Sequence, residues 1–223
     1  MKAMILAAGY GTRLKPLTDS IPKALVPFNG EPMINYQIRK LVKCGFDEII
    51  VNAHHFAEQI TEYFKKNSLG ARIHVSVEKE ILGTGGGILN AEKFLKNEEF
   101  FLVVNVDVYT NFDFSSLIEF HKSGNAISSL AVQKRKTKRY LEFDGSMELL
   151  RRETENSVKE NLYAFNGVHI ISNKIFQNRK IEFSDIIDLY FELINKGSVV
   201  YGFNIGNCEF RDLGKIANLQ YTI

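Results

Sequence analysis

The residues best suited to chemistry lie within the first 25 positions. An apolar run, Met4–Ala8, ends at Gly9 and Gly11, and Arg13 and Pro22-Lys23 follow. Glycines let backbone N–H groups come close to a phosphate, and a turn of consecutive N–H groups forms a concavity that binds anions. Arginine adds a planar pair of donors for phosphate oxygens, and lysine adds a mobile positive charge. The segment therefore predicts a loop that holds a polyphosphate, although the two glycines alone also fit an ordinary turn after a strand.

Two common phosphate-binding motifs are excluded. The dinucleotide-binding motif requires a third glycine at the position of Leu14, and the P-loop requires Gly-Lys-Ser/Thr where this chain has Gly11-Thr12-Arg13. The residues between the glycines and the proline contain no aliphatic run. We therefore expect this segment to be a lid and not a helix.

The residues L-A-A-G-Y-G-T-R-L-K-P-L-T, followed by P-K-A-L-V-P, resemble the signature of the sugar-1-phosphate nucleotidyltransferases. Four further matches follow in the family's order, at Gly30–Ile34, Leu82–Gly87, Asn105–Asp107 and Arg211–Gly214. Each of these is weak by itself, but together they extend over nearly the whole chain. The resemblance implies that a nucleoside triphosphate and a sugar-1-phosphate are joined with release of pyrophosphate.

The chemistry of this reaction explains which groups the chain lacks. The attacking phosphate oxygen is already an anion at neutral pH, so no general base is required. Repulsion between two anions and the charge on the departing pyrophosphate must instead be overcome by positioning and by Arg, Lys and Mg²⁺. No Ser/His/Asp or Cys/His arrangement is therefore expected.

The resemblance assigns the catalytic roles to Arg13, Lys23 and Asp107. Arg13 would hold the triphosphate, Lys23 would bind the phosphate under attack, and Asp107 and Asp212 would bind Mg²⁺, which needs few carboxylates. Asp107 follows an apolar run, where an unpartnered carboxylate is rare. Simpler alternatives remain open, because each aspartate could cap a turn or helix and the two cations could form surface salt bridges. The matches around Asp212 are also imperfect, since Phe210 and Lys215 replace the family's tryptophan and threonine.

The resemblance also implies which residues bind the nucleotide and the sugar. Those of the first turn, the two cations and the L-G-T-G loop are assigned to the nucleotide: Leu6, Ala7, Ala8, Gly9, Gly11, Thr12, Arg13, Lys23, Glu78, Gly83 and Thr84. Those assigned to the sugar are Asn105, Glu153, Asn166 and Gly167. Val106 replaces the glycine that follows the asparagine in the family. This departure is expected to narrow the pocket or to shift the loop.

The nucleotide and the sugar are less well determined than the reaction. Chain length, Gly85-Gly86-Gly87 and Asn52–His55 most resemble the short N-acetylmuramate-1-phosphate uridylyltransferases, which favours UTP. Mannose- or heptose-1-phosphate guanylyltransferases, which would use GTP, share most of the motifs and are the alternative. A non-catalytic paralogue that binds a nucleotide sugar is disfavoured because the charged residues are all present. A glycosyltransferase is disfavoured because Asp107-Val108-Tyr109 lacks the second acid of D-x-D.

The elements that must position these residues alternate between strands and helices in the first half of the chain. The strands predicted there are Lys2–Ala8, Glu48–Asn52, Ala71–Val77 and Phe100–Asn105, and the helices are Pro32 to near Gly45, Phe56–Lys65 and Gly83–Phe94. This order predicts an α/β, Rossmann-like fold with a mixed, mostly parallel central sheet flanked by helices.

The second half of the chain has a different pattern. Its predicted strands are Ser128–Gln133, Tyr140–Asp144, Leu149–Arg152, Leu162–Ile171, Ser198–Ile205 and Glu209–Arg211, with a helix at Ile186–Leu193. Consecutive strands predict a small antiparallel lobe over the carboxyl ends of the first sheet, where open α/β sheets bind ligands, and the resemblance implies that this lobe binds the sugar. We expect one nucleotidyltransferase domain over 1–223, with a nucleotide-binding part, 1–125, and a sugar-binding lobe with closing helices, 126–223.

Composition excludes several other classes of protein. A formal net charge of +2 gives no indication of a nucleic-acid partner, and no apolar run is long enough to span a membrane. Two cysteines are too few for a disulfide framework, so a cytoplasmic location is expected, whereas monomer and homo-oligomer both remain open. The basic run Lys134–Arg139 is interpreted as a solvated hairpin loop, and contact with an anionic substrate is left open.

Overall fold

The computed structural model describes residues 1–219 and has an α/β architecture. Its strands are β1 (Lys2–Leu6), β2 (Pro27–Phe28), β3 (Glu31–Pro32), β4 (Glu48–Ala53), β5 (Arg72–Val77), β6 (Phe100–Asn105), β7 (Val108–Thr110), β8 (Ser128–Gln133), β9 (Tyr140–Phe143), β10 (Leu149–Arg152), β11 (Leu162–Ser172), β12 (Val200–Asn204) and β13 (Phe210–Asp212). Its α-helices are α1 (Met33–Lys43), α2 (Ala57–Lys66), α3 (Gly83–Asn90), α4 (Glu92–Leu95), α5 (Phe114–Lys122) and α6 (Ile186–Ile194).

The first half of the chain forms the parallel part of a nine-stranded sheet, in the order β6-β1-β4-β5. Successive side chains of a strand point to opposite faces. Ala3 and Ile5 of β1 therefore join the core beneath α1, α2 and α5, whereas Met4 joins the core beneath α3, α4 and α6. Both faces of β1 are buried, which explains its continuous apolar sequence. The predicted fold class is confirmed.

The antiparallel strands extend this same sheet. The long strand β11 pairs with β6 through its second half and with β9 through its first half, and β8 lies along its other edge. The pairing of β11 with β8 shifts register between Phe165 and His169, and a bridge joins Glu148, before β10, to Tyr201 of β12. The predicted lobe is therefore an extension of the main sheet, and this extension is curved so that the start of β10 meets β12. The division of the domain near residue 125 stays a prediction.

Local differences from the predicted elements have identifiable causes. Strand β1 ends at Leu6, before the predicted Ala8, because the Ala7 N–H donates to the side chain of Asn52. The predicted helix from Gly83 is interrupted at Ala91 and forms α3 and α4. Helix α5 was not predicted, although its buried residues recur at helical spacing and Asp113 caps its first turn. No helix among residues 1–219 is both long and apolar enough to cross a membrane.

Candidate active site

A small two-stranded sheet brings together two aspartates that are far apart in the sequence. Strands β7 and β13 pair with Asp212 opposite Val108, and the Leu213 N–H donates to the Asp107 carbonyl oxygen at 2.8 Å. The Val106 N–H donates to the Leu6 carbonyl oxygen at 3.1 Å. Asp107 and Asp212 therefore lie together near the carboxyl ends of β1 and β6.

The two predicted cations complete a charged cluster, which consists of Arg13, Lys23, Asp107 and Asp212. The Lys23 ammonium contacts Asp107 Oδ2, and Arg13 Nη1 lies 2.7 Å from Asp212 Oδ2. Arg13 Nη2 is 3.8 Å from Asp107 Oδ2, so the arginine faces both carboxylates. The Lys23 and Asp107 side chains are only 14% and 13% exposed, whereas Arg13 is 56% exposed. Four residues chosen from the sequence thus converge at one place, with a mostly buried ion pair and a more exposed arginine.

Charge pairing affects Arg13 and Asp212 in opposite directions. Partial burial of Asp212 raises the pKa of its carboxyl, but the hydrogen bond and the charge of Arg13 outweigh this and lower the pKa below its usual value. The hydrogen bond to Asp212 in turn raises the pKa of the Arg13 guanidinium. Both groups are therefore charged over the physiological pH range.

Gly214 permits the close approach of these charged groups. A Cβ at this position would lie 2.7 Å from Arg13 Nη2, 2.7 Å from Asp107 Oδ2 and 2.8 Å from Asp212 Oδ1. The sequence motif includes Gly214, but no role was assigned to it. A larger residue would displace the cluster, so glycine is required here by the packing.

The two aspartates are close enough together to share one small cation. Asp107 Oδ2 and Asp212 Oδ1 both lie within 2.8 Å of the position that a Cβ of Gly214 would take, so the two carboxylates face the same region. No group of three or more His, Cys, Asp or Glu side chains within residues 1–219 could hold a metal alone. Mg²⁺ does not need such a group, because one or two carboxylates with waters and substrate phosphates satisfy it. Asp107 and Asp212 are thus a suitable donor set.

The glycine-rich turn has one structural glycine and one that faces free space. Gly11 has φ +66°, and a Cβ there would lie 2.7 Å from Thr18 Cγ2. Gly9 has nothing within 4 Å of a Cβ position. The N–H groups of residues 8–11 donate no hydrogen bond within residues 1–219. Unused N–H groups beside open space are suited to bind an anion, and anion binding by this turn stays a prediction.

A buried hydrogen-bonded chain supports this turn from the neighbouring strands. Asn52 Oδ1 accepts from the Ala7 N–H at 2.6 Å, and Asn52 Nδ2 donates to Glu78 Oε1 at 2.6 Å. Glu78 Oε2 accepts from the Leu82 N–H at 3.0 Å, and burial raises the pKa of the Glu78 carboxyl. Glu78 is 2% exposed, so in this structure it positions the turn. Its predicted contact with the nucleotide stays a prediction.

The L-G-T-G loop packs against the segment that precedes α6. Gly83 has φ +70°, and a Cβ there would lie 2.5 Å from the Ser184 carbonyl oxygen. Thr84 Oγ1 accepts from the Ile186 N–H at 2.9 Å, and so helps to begin α6. These contacts explain the residue types at both positions without a ligand. Nucleotide binding by Gly83 and Thr84, and by the exposed Thr12, stays a prediction.

Three of the four residues assigned to the sugar lie together. Gly167 has φ +72°, and a Cβ there would lie 2.7 Å from Asn105 Nδ2. The neighbouring Asn166 is buried, and its Nδ2 donates to Gln133 Oε1 at 2.6 Å. Glu153 is exposed after β10, with its N–H donating to the Tyr140 carbonyl oxygen. We refer to the first three residues, together with Gln133, as the amide cluster: Asn105, Gln133, Asn166 and Gly167.

Sequence reasoning missed Gln37, which holds the loop that carries Asp107. Its Nε2 donates to the Val108 carbonyl oxygen and lies 3.4 Å from the carbonyl oxygens of Asn105 and Val106. Gln37 is 1% exposed within α1, where its neighbours in the sequence pattern are apolar. A polar residue on the buried face of an amphipathic helix was the available signal.

Comparison with known proteins identifies the family of the chain. The family model described as "Nucleotidyl transferase" matches residues 2–221, and the chain belongs to that family. The resemblance to sugar-1-phosphate nucleotidyltransferases is thereby confirmed. The chain is 41% identical to mannose-1-phosphate guanyltransferase beta-B of Xenopus laevis and 42% identical to mannose-1-phosphate guanyltransferase of Yarrowia lipolytica, each over 137 residues. These matches cover 60% of this chain but only 38% of each relative.

Solved structures resemble the chain over almost its whole length. HddC from Yersinia pseudotuberculosis, complexed with GMP-PN, has a TM-score of 0.79 and 25% identity, covering 98% of this chain and 96% of that one. The inositol-1-phosphate CTP transferase from T. maritima has a TM-score of 0.82, 20% identity and coverage of 98% and 91%. The second likeness shows the shared fold alone.

Proposed function

We propose that this protein transfers a nucleoside monophosphate from a nucleoside triphosphate to a sugar-1-phosphate, with release of pyrophosphate. The observation that supports this most is the charged cluster, which lies beside the anion-binding turn at the ends of β1 and β6. Neutralisation of phosphate charge is the main requirement of the reaction, and this cluster supplies two cations and two metal-binding carboxylates. A cytoplasmic location is part of the same proposal.

The residues of the charged cluster and of the neighbouring turn have different proposed roles, which follow from their exposure. The N–H groups of residues 8–11 would hold the triphosphate, and the half-exposed Arg13 can turn onto its departing oxygens. Lys23 is held against Asp107 in a fixed position, which suits binding of the phosphate under attack. Asp107 and Asp212 would hold Mg²⁺, which when bound neutralises charge that develops on the phosphates.

We propose GTP as the nucleotide, in preference to the UTP favoured by the sequence analysis. Relatives at 41% and 42% identity are named mannose-1-phosphate guanyltransferases, and HddC is complexed with the guanine nucleotide GMP-PN. These names support the alternative stated from the sequence more than uridylyl transfer. Mannose-1-phosphate is accordingly the first sugar to test.

The test is an assay of pyrophosphate release by the purified full chain with Mg²⁺. Each common nucleoside triphosphate is paired with mannose-, heptose-, glucose- and N-acetylmuramate-1-phosphate. We expect turnover to be fastest with GTP and mannose-1-phosphate, and removal of Mg²⁺ with a chelator to stop it. Fastest turnover with UTP and N-acetylmuramate-1-phosphate would restore the first interpretation. If no pair gives pyrophosphate, the protein is better explained as a non-catalytic relative that binds a nucleotide sugar.

A further inference from the structure

Arg135 in the basic run is partly buried and is not solvated as expected, and the neighbouring Lys134, although exposed, donates to the carbonyl oxygens of Glu160 and Leu162. Arg135 Nε donates to Asn166 Oδ1 at 3.0 Å, and its Nη2 donates to the Phe165 carbonyl oxygen at 2.8 Å. The guanidinium lies over the Phe210 ring, 4.0 Å from its centroid. By contrast, Lys138 and Arg139 in the same run are exposed. Arg135 is therefore held by three separate contacts in a defined orientation.

This arginine has no counterion within the described residues. No carboxylate of residues 1–219 lies within 4.0 Å of its nitrogens, and two of its five N–H donors are used by the protein. Burial lowers the pKa of Arg135, and the charge of the nearby Asp212 opposes this only in part. A partly buried cation without a counterion is unfavourable unless an anion joins it. The arrangement is typical of a site that binds an anionic ligand.

Arg135 lies between the amide cluster and the charged cluster. Its partner Asn166 precedes Gly167, which packs against Asn105. Its other neighbour, Phe210, belongs to β13, the strand that ends at Asp212. A sugar held by the amide cluster would therefore have its anomeric phosphate near Arg135 when that phosphate faces the metal-binding aspartates.

The charge balance of the charged cluster favours such a residue. Lys23 and Arg13 are neutralised by Asp107 and Asp212, so net positive charge in the cluster would come only from a bound Mg²⁺, which the triphosphate would share. The sugar-1-phosphate must nevertheless approach another anion, which costs free energy without a further cation. An arginine is well suited, because its planar donors can bind two phosphate oxygens at once.

We propose that Arg135 binds the phosphate of the sugar-1-phosphate and is a substrate-binding residue of this site. The inference rests on the proposed function, because it assumes that the second substrate is a sugar phosphate. The phosphate contacts the unused N–H donors, while Asn166 and Phe210 keep the guanidinium in place. The same chemistry would bind a carboxylate on an acidic sugar, and the experiment separates the two sources.

The experiment compares Arg135→Gln and Arg135→Lys with wild type, and uses the exposed Lys138→Gln as the matched control. For Arg135→Gln we expect the KM for mannose-1-phosphate to rise about 10- to 100-fold, as for loss of a charged hydrogen bond, with the KM for GTP within about twofold. Arg135→Lys should be intermediate, because the charge remains but the fork is lost. Lys138→Gln should behave as wild type.

Further measurements keep the outcomes distinguishable. Thermal unfolding shows whether each variant is folded. If Arg135→Gln does not fold, the comparison of Arg135→Lys with wild type is used instead. Calorimetric titration with mannose-1-phosphate and with mannose needs no turnover, so weaker binding of only the phosphate ester would support the inference even if the proposed reaction fails. An unchanged KM for mannose-1-phosphate in folded variants, a rise in the KM for GTP alone, or an effect confined to N-acetylmuramate-1-phosphate would overturn it.

Discussion

The charged cluster and the amide cluster occupy neighbouring parts of the site but are stabilised in different ways. Ion pairs hold the charged cluster, and Arg13 remains 56% exposed within it. Neutral hydrogen bonds between buried groups hold the amide cluster, as in the pair Asn166–Gln133. Ion pairs can exchange partners when phosphates and a metal bind, whereas buried amides cannot leave their partners without cost. Substitutions in the charged cluster should therefore affect activity most, and those in the amide cluster should affect stability most.

The largest expected effect is that of Asp107→Asn. The amide keeps an oxygen for Lys23 but removes a negative charge from the proposed metal site, so kcat should fall about 100- to 1,000-fold. Pyrophosphate release and thermal unfolding measure activity and fold separately. Asp113→Asn is the matched control, because Asp113 lies outside the charged cluster and caps α5, where asparagine caps equally well. Retained turnover in Asp107→Asn would remove Asp107 from the mechanism.

Gly214→Ala tests whether the geometry of the charged cluster matters apart from its charges. The added methyl group would lie 2.7 Å from both Arg13 Nη2 and Asp107 Oδ2, so these groups must move apart. We expect kcat to fall about 10- to 100-fold, since displacement of reacting groups by about 1 Å has costs of this size. Gly124→Ala, where nothing lies within 4 Å, should leave turnover unchanged. Equal rates for the two variants would contradict the packing argument.

Asn166→Ala, in the amide cluster, should reduce stability more than activity. Removal of the Asn166 side-chain amide leaves Gln133 Oε1 and Arg135 Nε without their partner, so the free energy of unfolding should fall by about 1–3 kcal/mol. Urea denaturation measures this change. Asn161→Ala, at a turn where the side chain makes no hydrogen bond in residues 1–219, should change stability by less than about 0.5 kcal/mol. A stable Asn166→Ala variant would show that the amide cluster is not a rigid support.

The smallest expected effect is a dependence of stability on pH in the charged cluster alone. The pKa of Asp212 is lower in the folded protein than its ordinary value near 3.8, so its stabilisation is complete above that pH and is lost as pH falls through the folded pKa. The difference in unfolding free energy between wild type and Asp212→Asn should therefore shrink between pH 5 and pH 3, by less than about 1 kcal/mol.

The effect of Asn166→Ala provides the comparison for this titration. Since neither Asn166 nor Gln133 titrates, the difference in unfolding free energy between wild type and Asn166→Ala should be constant over the same pH range. Chemical denaturation at fixed pH values measures both series. If the Asp212 difference is also constant, its ion pair with Arg13 does not contribute to folding stability.

Prediction from the sequence succeeded where local pattern was sufficient. Apolar runs and helical periodicity located β6 and β8 at their observed bounds and most other elements to within a few residues. The glycines and the two cations were found because phosphate binding requires these residue types, and the aspartates were assigned through the family resemblance. Helix α5 was overlooked, although its pattern was present. Gln37 was also overlooked, although its place on the buried face of α1 was a signal. The roles of Gly214 and Arg135 could not be found, because each depends on partners remote in the sequence.

The sequence by itself determined the family and the charged residues of the site, because its motifs resemble those of the family. It also determined the mostly parallel sheet, because that follows from the alternation of apolar strands and helices. Tertiary structure alone decided that β7 and β13 pair, which brings Asp212 to Asp107. It also decided that Arg135 turns inward from a basic run while Lys138 and Arg139 remain exposed. The physical reason is that pairing and burial depend on which surfaces meet in the folded chain, and a local pattern of residues does not contain that information.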